Sequence, residues 1–166
     1  MAPFRTVYLP HHVDSEIAKV IYDYALQNIS WEESIRSRRR DLTEKERFTR
    51  MGAYGEDDVI LSFIASVLSS VLTDVPDPDT IPSTVTGVYM NHYRNGHDWC
   101  PRHSHPDTVQ MIISLGATRT LTVGTKNYKM SDGDVIIFGA SLHGIVPEPE
   151  VTEGRISIAV FLQRSL

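Results

Sequence analysis

The sequence predicts a mainly β domain of α+β class: a double-stranded β-helix (jelly roll) with two supporting N-terminal helices. Three observations lead there. From Ser83 onward the chain carries seven or eight short β-branched and aromatic runs separated by Gly, Pro, Asn and Asp. No helix-length segment interrupts those runs, which argues against parallel βαβ units and for antiparallel closure as a sandwich or jelly roll. Both clear helical stripes lie before Pro76. With 166 residues the chain is one domain with length enough for a real core. Within it, 1–82 form helical support and a basic lid, and 83–166 form the jelly-roll core.

The first helix is expected over about 15 to 28. Asp14 or Ser15 serves as its N-cap, and Ile17, Val20, Ile21 and Tyr24 recur at helical spacing. The second begins near Glu56 and ends before Pro76. Its stripe of Ile60, Phe63, Ile64, Val67, Leu68, Val71 and Leu72 is a face packed on a sheet. Between the helices, the basic and polar loop 30–55 is expected to lie over the open mouth of the barrel. PDPDTIP (76–82) is a turn-rich hinge. The strands follow in the runs TVTGVYMNHY, TVQMIISLG, TRTLTVG, NYKM, DVIIFG, HGIVP and RISIAVFLQ.

A composition of 41% hydrophobic and 22% charged residues is that of a soluble globular protein. No apolar run reaches the roughly 18 residues of a membrane span, and the N-terminus lacks a signal peptide's pattern, so an intracellular (cytoplasmic or nuclear) protein with no membrane partner is expected. Cys100 is the single cysteine, which excludes an intrachain disulfide and every multi-cysteine metal motif. Any metal must therefore use histidine and carboxylate. The net charge is −5, yet residues 36–50 hold seven Arg/Lys against three acids, so the remainder is −5 − 4 = −9. Such a patch can hold a polyanion, and it also has the pattern of a solvated helix face with i,i+4 ion pairs.

Five of the seven His lie in the β half: His92, His97, His103, His105 and His143. The tightest group is RHSHPD (102–107). In an extended segment side chains alternate, so His103, His105 and Asp107 point to one side. His143, at the end of DVIIFGASLH, is placed to join them from a distant strand. Two imidazoles and a carboxylate with open positions suit non-haem Fe(II), and three imidazoles suit iron, copper or zinc.

Several separated motifs resemble the AlkB-like family of Fe(II)/2-oxoglutarate dioxygenases. Asn91-His92-Tyr93-Arg94-Asn95-Gly96 is similar to the family's N-x-Y-x-x-G, and His103 follows where its first iron ligand stands. Ser114-Leu115-Gly116-Ala117-Thr118-Arg119 is similar to its S-L-G-x-x-R strand. His143, followed twelve residues later by Arg155-Ile156-Ser157-Ile158, is similar to the distal iron ligand and the arginine that follows it. Arg50-Met51-Gly52-Ala53-Tyr54-Gly55-Glu56 is similar to a segment of the nucleotide-recognition region.

The resemblance, spanning about 47 to 163, implies Fe(II), 2-oxoglutarate and O2 as cofactor and cosubstrates. It implies His103 and His143 as iron ligands, Arg155 as partner of the cosubstrate's C5 carboxylate, and Asn91 and Tyr93 as further contacts. It also implies oxidation of an alkyl or methyl group on nucleic acid, an N-hydroxymethyl product then losing formaldehyde. Single-stranded DNA or RNA would be the better substrate, since a base must leave its stack to reach such a pocket. Arg38, Arg39, Arg40 and Arg50, with Arg36 and Arg47, would track phosphates, and Tyr54 or Trp99 would stack on the base.

The chain departs from the family pattern at three places. His105 stands where the family has Asp, so the third ligand is His105, or Asp107 folding back, or the pair His105 and Asp107 act as a shifted H-x-D. Phe161 replaces the second arginine that dealkylating members carry six residues beyond the first. Ala53 falls where some members place a stacking aromatic. Two other readings follow: a 2-oxoglutarate-dependent hydroxylase of protein or small molecules, and a three-His cupin-type metalloprotein. Gly96, His103, His105, Gln110 and Gly116 approximate the first cupin motif, with Gln for Glu, and the 133–143 segment resembles the second.

Overall fold

The structure, a computed structural model, describes residues 4–33 and 50–163. Arg36, Arg38, Arg39, Arg40 and Arg47 lie outside the described residues. In chain order the elements are β1 (Val7–Leu9), α1 (Ser15–Asn28), β2 (Glu32–Glu33), β3 (Met51–Tyr54), α2 (Asp58–Asp74), β4 (Thr84–Tyr93), β5 (Cys100–His103), β6 (Val109–Gly116), β7 (Arg119–Val123), β8 (Lys126–Met130), β9 (Val135–Phe138), β10 (His143–Ile145) and β11 (Arg155–Gln163). A 3-10 turn, Pro78–Thr80, follows α2.

Two antiparallel sheets face each other as a jelly roll. The larger runs β1-β9-β6-β11-β4-β3-β2 and the smaller β5-β10-β7-β8. Both helices pack on the outer face of the larger sheet. Asp14 caps α1 by accepting from the Glu16 N–H, and Asp57 caps α2 by accepting from Val59 and Ile60. Helix α2 ends at Asp74, with Val75 as its extended C-cap, because Pro76 follows, which supplies no N–H and disfavours helical backbone before it. Its stripe of Ile60, Phe63, Ile64, Val67, Leu68 and Val71 shares one core with Ile113, Leu115, Ile156, Ile158 and Val160 of the sheet. On the inner face, Tyr93, Ile112, Phe138 and Ala159 meet Leu121, Val123 and Ile145 of the smaller sheet in a second core. Strands β6 and β11 are covered on both faces, which is why they read as near-continuous apolar runs.

Four short strands were not apparent in the sequence. Strands β1, β2 and β3 bring the N-terminal part into the larger sheet, so the helical and sheet-forming parts are not cleanly divided at residue 82. Residues Met51–Tyr54, expected within the loop over the mouth, pair along β4 with Met51 opposite His92 and Tyr54 opposite Tyr89. β5 contains Pro101, tolerated because β5 is the edge of its sheet. Among the described residues no helix is long and apolar enough to cross a membrane.

Candidate active site

His103 ends β5 and His143 begins β10, and the two are directly opposite in the antiparallel register. His105 stands two residues past the end of β5. The His103 ring centroid lies 4.3 Å from that of His143 and 5.0 Å from that of His105. One nitrogen from each of the three lies within 4.8 Å of the others, a spacing a single ion can bridge. Nδ1 of His103 bonds the Pro101 carbonyl at 2.9 Å, and Nδ1 of His143 bonds the Ser141 carbonyl at 3.0 Å. A carbonyl only accepts, so each Nδ1 donates, and in that tautomer Nε2 is the nitrogen whose lone pair a metal would take. Burial, with smaller contributions from the other two imidazoles, pushes His143 down to about 4 despite its bond to Ser141. Burial and then His103 lower His105. Neutral imidazoles are the ligand form.

Asp107 is not among the converging ligands. It sits in a turn at φ 60°, its side chain exposed. The alternation expected of an extended segment stops with β5 at His103, and the turn at Pro106 and Asp107 carries the carboxylate out to solvent. The described cluster is therefore three histidines.

At the start of β11, Arg155 lies opposite Tyr93 on one side and Gly116 on the other. It is 1% exposed. Its Nε donates to the Ser114 hydroxyl at 2.8 Å, while Nη1 and Nη2 have no partner. Burial pulls the guanidinium down to about 10, which leaves it charged at neutral pH. An uncompensated buried cation is strongly unfavourable, and an anion in the cavity would compensate this one. Arg119 provides the contrast. It is equally buried, yet it donates to the carbonyls of Asn95, Asp98 and Val146 at 2.8–3.0 Å and to the Glu148 carboxylate at 3.2 Å. The Tyr93 ring lies within cation–π range of both arginines, at 5.5 and 5.6 Å.

Asn91 and Tyr93 alternate onto the inner face of β4, and the chain then turns sharply. Arg94 and Asp98 close that turn with a two-point ion pair at 2.8 and 3.0 Å. Gly96 is required by close approach, since a Cβ there would stand 1.6 Å from the Glu148 carbonyl oxygen.

The three histidines, Arg155, Asn91 and Tyr93 line one cavity of about 360 Å³, which also takes in Arg50, Tyr54, Tyr89, Gln110 and Phe161. Along β11 the inward row is Arg155, Ser157, Ala159 and Phe161. The Phe161 ring packs edge-on to His105 at 5.2 Å. Tyr54 is 75% exposed and stacks edge-to-face on Tyr89. Trp99 is half-buried and is not part of the cavity wall. The Asn91 Oδ1 and Gln110 Nε2 atoms are buried without partners. Cys100 takes a bond from Arg50 Nη1 at 3.1 Å, and burial pushes its thiol up, against thiolate formation. Sequence reasoning missed the parts played by Ser114, Cys100 and Tyr89. The signal available was alternation, which turns Ser114 inward beside Arg155.

No protein-family profile and no curated protein matches the sequence. Solved structures do match the fold. An oxidoreductase of the 2OG-Fe(II) oxygenase family from Burkholderia pseudomallei is 13% identical with a TM-score of 0.67, over 96% of this chain and 85% of that one. A Trichoplax adhaerens prolyl hydroxylase, in complex with a hypoxia inducible factor peptide fragment, is 13% identical with a TM-score of 0.64, over 95% and 82%. A Pseudomonas putida prolyl-4-hydroxylase is 13% identical with a TM-score of 0.61, over 97% and 93%. The jelly roll of this chain is thus one that 2-oxoglutarate oxygenases use.

Proposed function

We propose that this chain is an Fe(II)- and 2-oxoglutarate-dependent dioxygenase, an oxidoreductase with O2 as its second cosubstrate. The observation that carries the proposal is a buried guanidinium, Arg155, presenting two unpartnered N–H groups to the same cavity that the three histidines face. The donor set fits the groups: imidazole is a good ligand for Fe(II), and a planar fork of N–H donors is made for a carboxylate. When bound, iron supplies the activation of O2 coupled to decarboxylation of 2-oxoglutarate to succinate and CO2.

The chain's own residues do the rest. His103, His105 and His143 hold the ion through their free nitrogens, the carbonyls of Pro101 and Ser141 fixing the rings of His103 and His143. Ser114 anchors Nε of Arg155, so that the remaining edge of the guanidinium faces the cavity and takes the distal carboxylate. Tyr93 walls that end, and Asn91 offers an amide beside it. Ile112, Leu121 and Phe161 keep water from the centre, which strengthens each electrostatic contact there.

For the substrate we favour an alkylated or methylated base in single-stranded DNA or RNA. The AlkB-like motifs and the basic run 36–50 support this, with Arg50 and Tyr54 on the cavity wall and Arg38, Arg39 and Arg40 nearby in sequence. A protein hydroxylase is the second reading. Two of the fold neighbours are prolyl hydroxylases, and the apolar rings of Tyr54, Tyr89 and Phe161 would also take a proline side chain. The third histidine keeps a three-His cupin-type metalloprotein as the remaining alternative.

The test is turnover with Fe(II) and 2-oxoglutarate, following succinate, against methylated single-stranded oligonucleotides and proline-containing peptides in parallel. Formaldehyde released with succinate from the oligonucleotides supports the first reading. Succinate coupled only to peptide hydroxylation replaces it with the second, and no succinate from iron-loaded protein under any condition favours the cupin alternative.

A further inference from the structure

We infer that Gln110 is the hydrogen-bond donor for the 2-oxo-acid end of the cosubstrate, a role that rests on the dioxygenase reading above. Gln110 lies on β6, is 1% exposed, and lines the cavity with its Nε2 unpartnered. A buried amide with an open donor bears its desolvation penalty uncompensated, and a bound acceptor would relieve it.

Its place in the sheet says which acceptor. In register, Gln110 stands opposite Phe161 of β11 on one side and Phe138 of β9 on the other. Directly opposed residues share a face and lie close together. The Phe161 ring packs against His105 at 5.2 Å and the Phe138 ring against His143 at 4.9 Å. The amide is therefore in the row whose flanking rings brace two of the three histidines. It belongs to the metal end of the cavity.

Arg155 begins the other end, six residues along β11 from Phe161, roughly 20 Å of strand. Its side chain reaches back along the cavity to Ser114, four residues from Gln110 on β6. The cavity thus has an open cationic fork at one end and an open neutral donor at the other. That is the pattern of a dicarboxylate whose distal carboxylate meets Arg155 while its C1 carboxylate lies beside the metal. A neutral donor suffices there. Three uncharged imidazoles leave the ion's full charge facing the C1 carboxylate, so Gln110 orients an anion that the ion already attracts.

The experiment is anaerobic calorimetric titration of Mn(II)-loaded protein with 2-oxoglutarate and with succinate, for wild type, Gln110→Met and Gln110→Glu. Succinate retains the distal carboxylate, and its other carboxylate stands at C2, one carbon short of the C1 group that Gln110 would hold. Gln110→Met, close in shape, should weaken 2-oxoglutarate about ten- to hundredfold and leave succinate and Mn(II) affinity unchanged within about twofold. Gln110→Glu sets a like charge beside C1 and should weaken 2-oxoglutarate more than Gln110→Met does. The inference is overturned if 2-oxoglutarate affinity survives in Gln110→Met, or if both ligands weaken equally. A wild-type protein that holds the metal and binds neither ligand would instead overturn the dioxygenase reading.

Discussion

Two buried guanidiniums lie within reach of one tyrosine ring, and only their hydrogen bonds tell them apart. Arg119 makes four bonds, to three carbonyls and a carboxylate, whereas Arg155 has a single bond to Ser114. Their substitutions should separate accordingly. Arg155→Ala should weaken 2-oxoglutarate by about 2–5 kcal/mol without lowering the unfolding midpoint. Arg119→Ala should lower that midpoint, since it orphans buried acceptors worth roughly 1–3 kcal/mol each. Calorimetric binding and thermal unfolding of the two variants check this. The third ligand is decided the same way. His105→Ala should lower iron affinity beyond the roughly 10–100-fold typical of an outer partner, and Asp107→Ala should leave metal content, measured by elemental analysis, unchanged.

Among the elements, the helices and the long strands were legible because their apolar residues keep a period. Helix α1 occupies Ser15–Asn28 as predicted, but it buries Ala18, Ile21 and Ala25 and leaves Ile17 and Val20 of the expected stripe exposed, while β4, β6 and β11 follow the β-branched runs. Strands β1, β2, β3 and β5 have two to four residues each, too few to show alternation, and they exist because a neighbour's backbone is there to pair with. The same cause hid the geometry at Asp107, where a turn ends the alternation that His103 and His105 begin. The motifs were legible at residues whose chemistry is unusual in a strand, such as His143 and Arg155. Gln110 reads in the sequence only as an imperfect Glu, because a buried amide has no signature until its register is known.

Helix α2 supplies a direct stability test. Asp57 caps it and accepts from the Tyr24 hydroxyl at 2.8 Å. That bond first, then the Ile60 and Val59 N–H groups, hold its carboxyl below the usual carboxylate range. Because the folded value lies below the unfolded one, the stabilisation is complete above about pH 4 and is lost as pH falls through the folded value. Asp57→Ala should destabilise by about 1 kcal/mol at pH 7 through the missing cap. In denaturant unfolding the two proteins should converge as the carboxyl protonates in acid.

Over the whole molecule, a body of about −9 carries a run of +4 at residues 36–50. If that run tracks a phosphate backbone, affinity for single-stranded oligonucleotides should fall steeply with salt. Neutralising Arg38, Arg39 and Arg40 together should then flatten the log–log slope by roughly 0.7 for each phosphate no longer paired with an arginine. Fluorescence anisotropy across a salt series reads this out. A slope near zero in the wild type would move the substrate to peptide.

The architecture itself makes a stricter demand. The jelly roll brings β5, β10 and β11 together so that three imidazoles and one open guanidinium line a single cavity, the joint arrangement that chelation by 2-oxoglutarate would use. Anaerobic titration of the Fe(II)-loaded protein with 2-oxoglutarate, followed by visible absorption, reports it directly. A saturable metal-to-ligand charge-transfer band should grow in the wild type, be absent in Arg155→Ala at the same concentrations, and not form with succinate. An iron-loaded wild type that shows no band at millimolar 2-oxoglutarate would contradict the account.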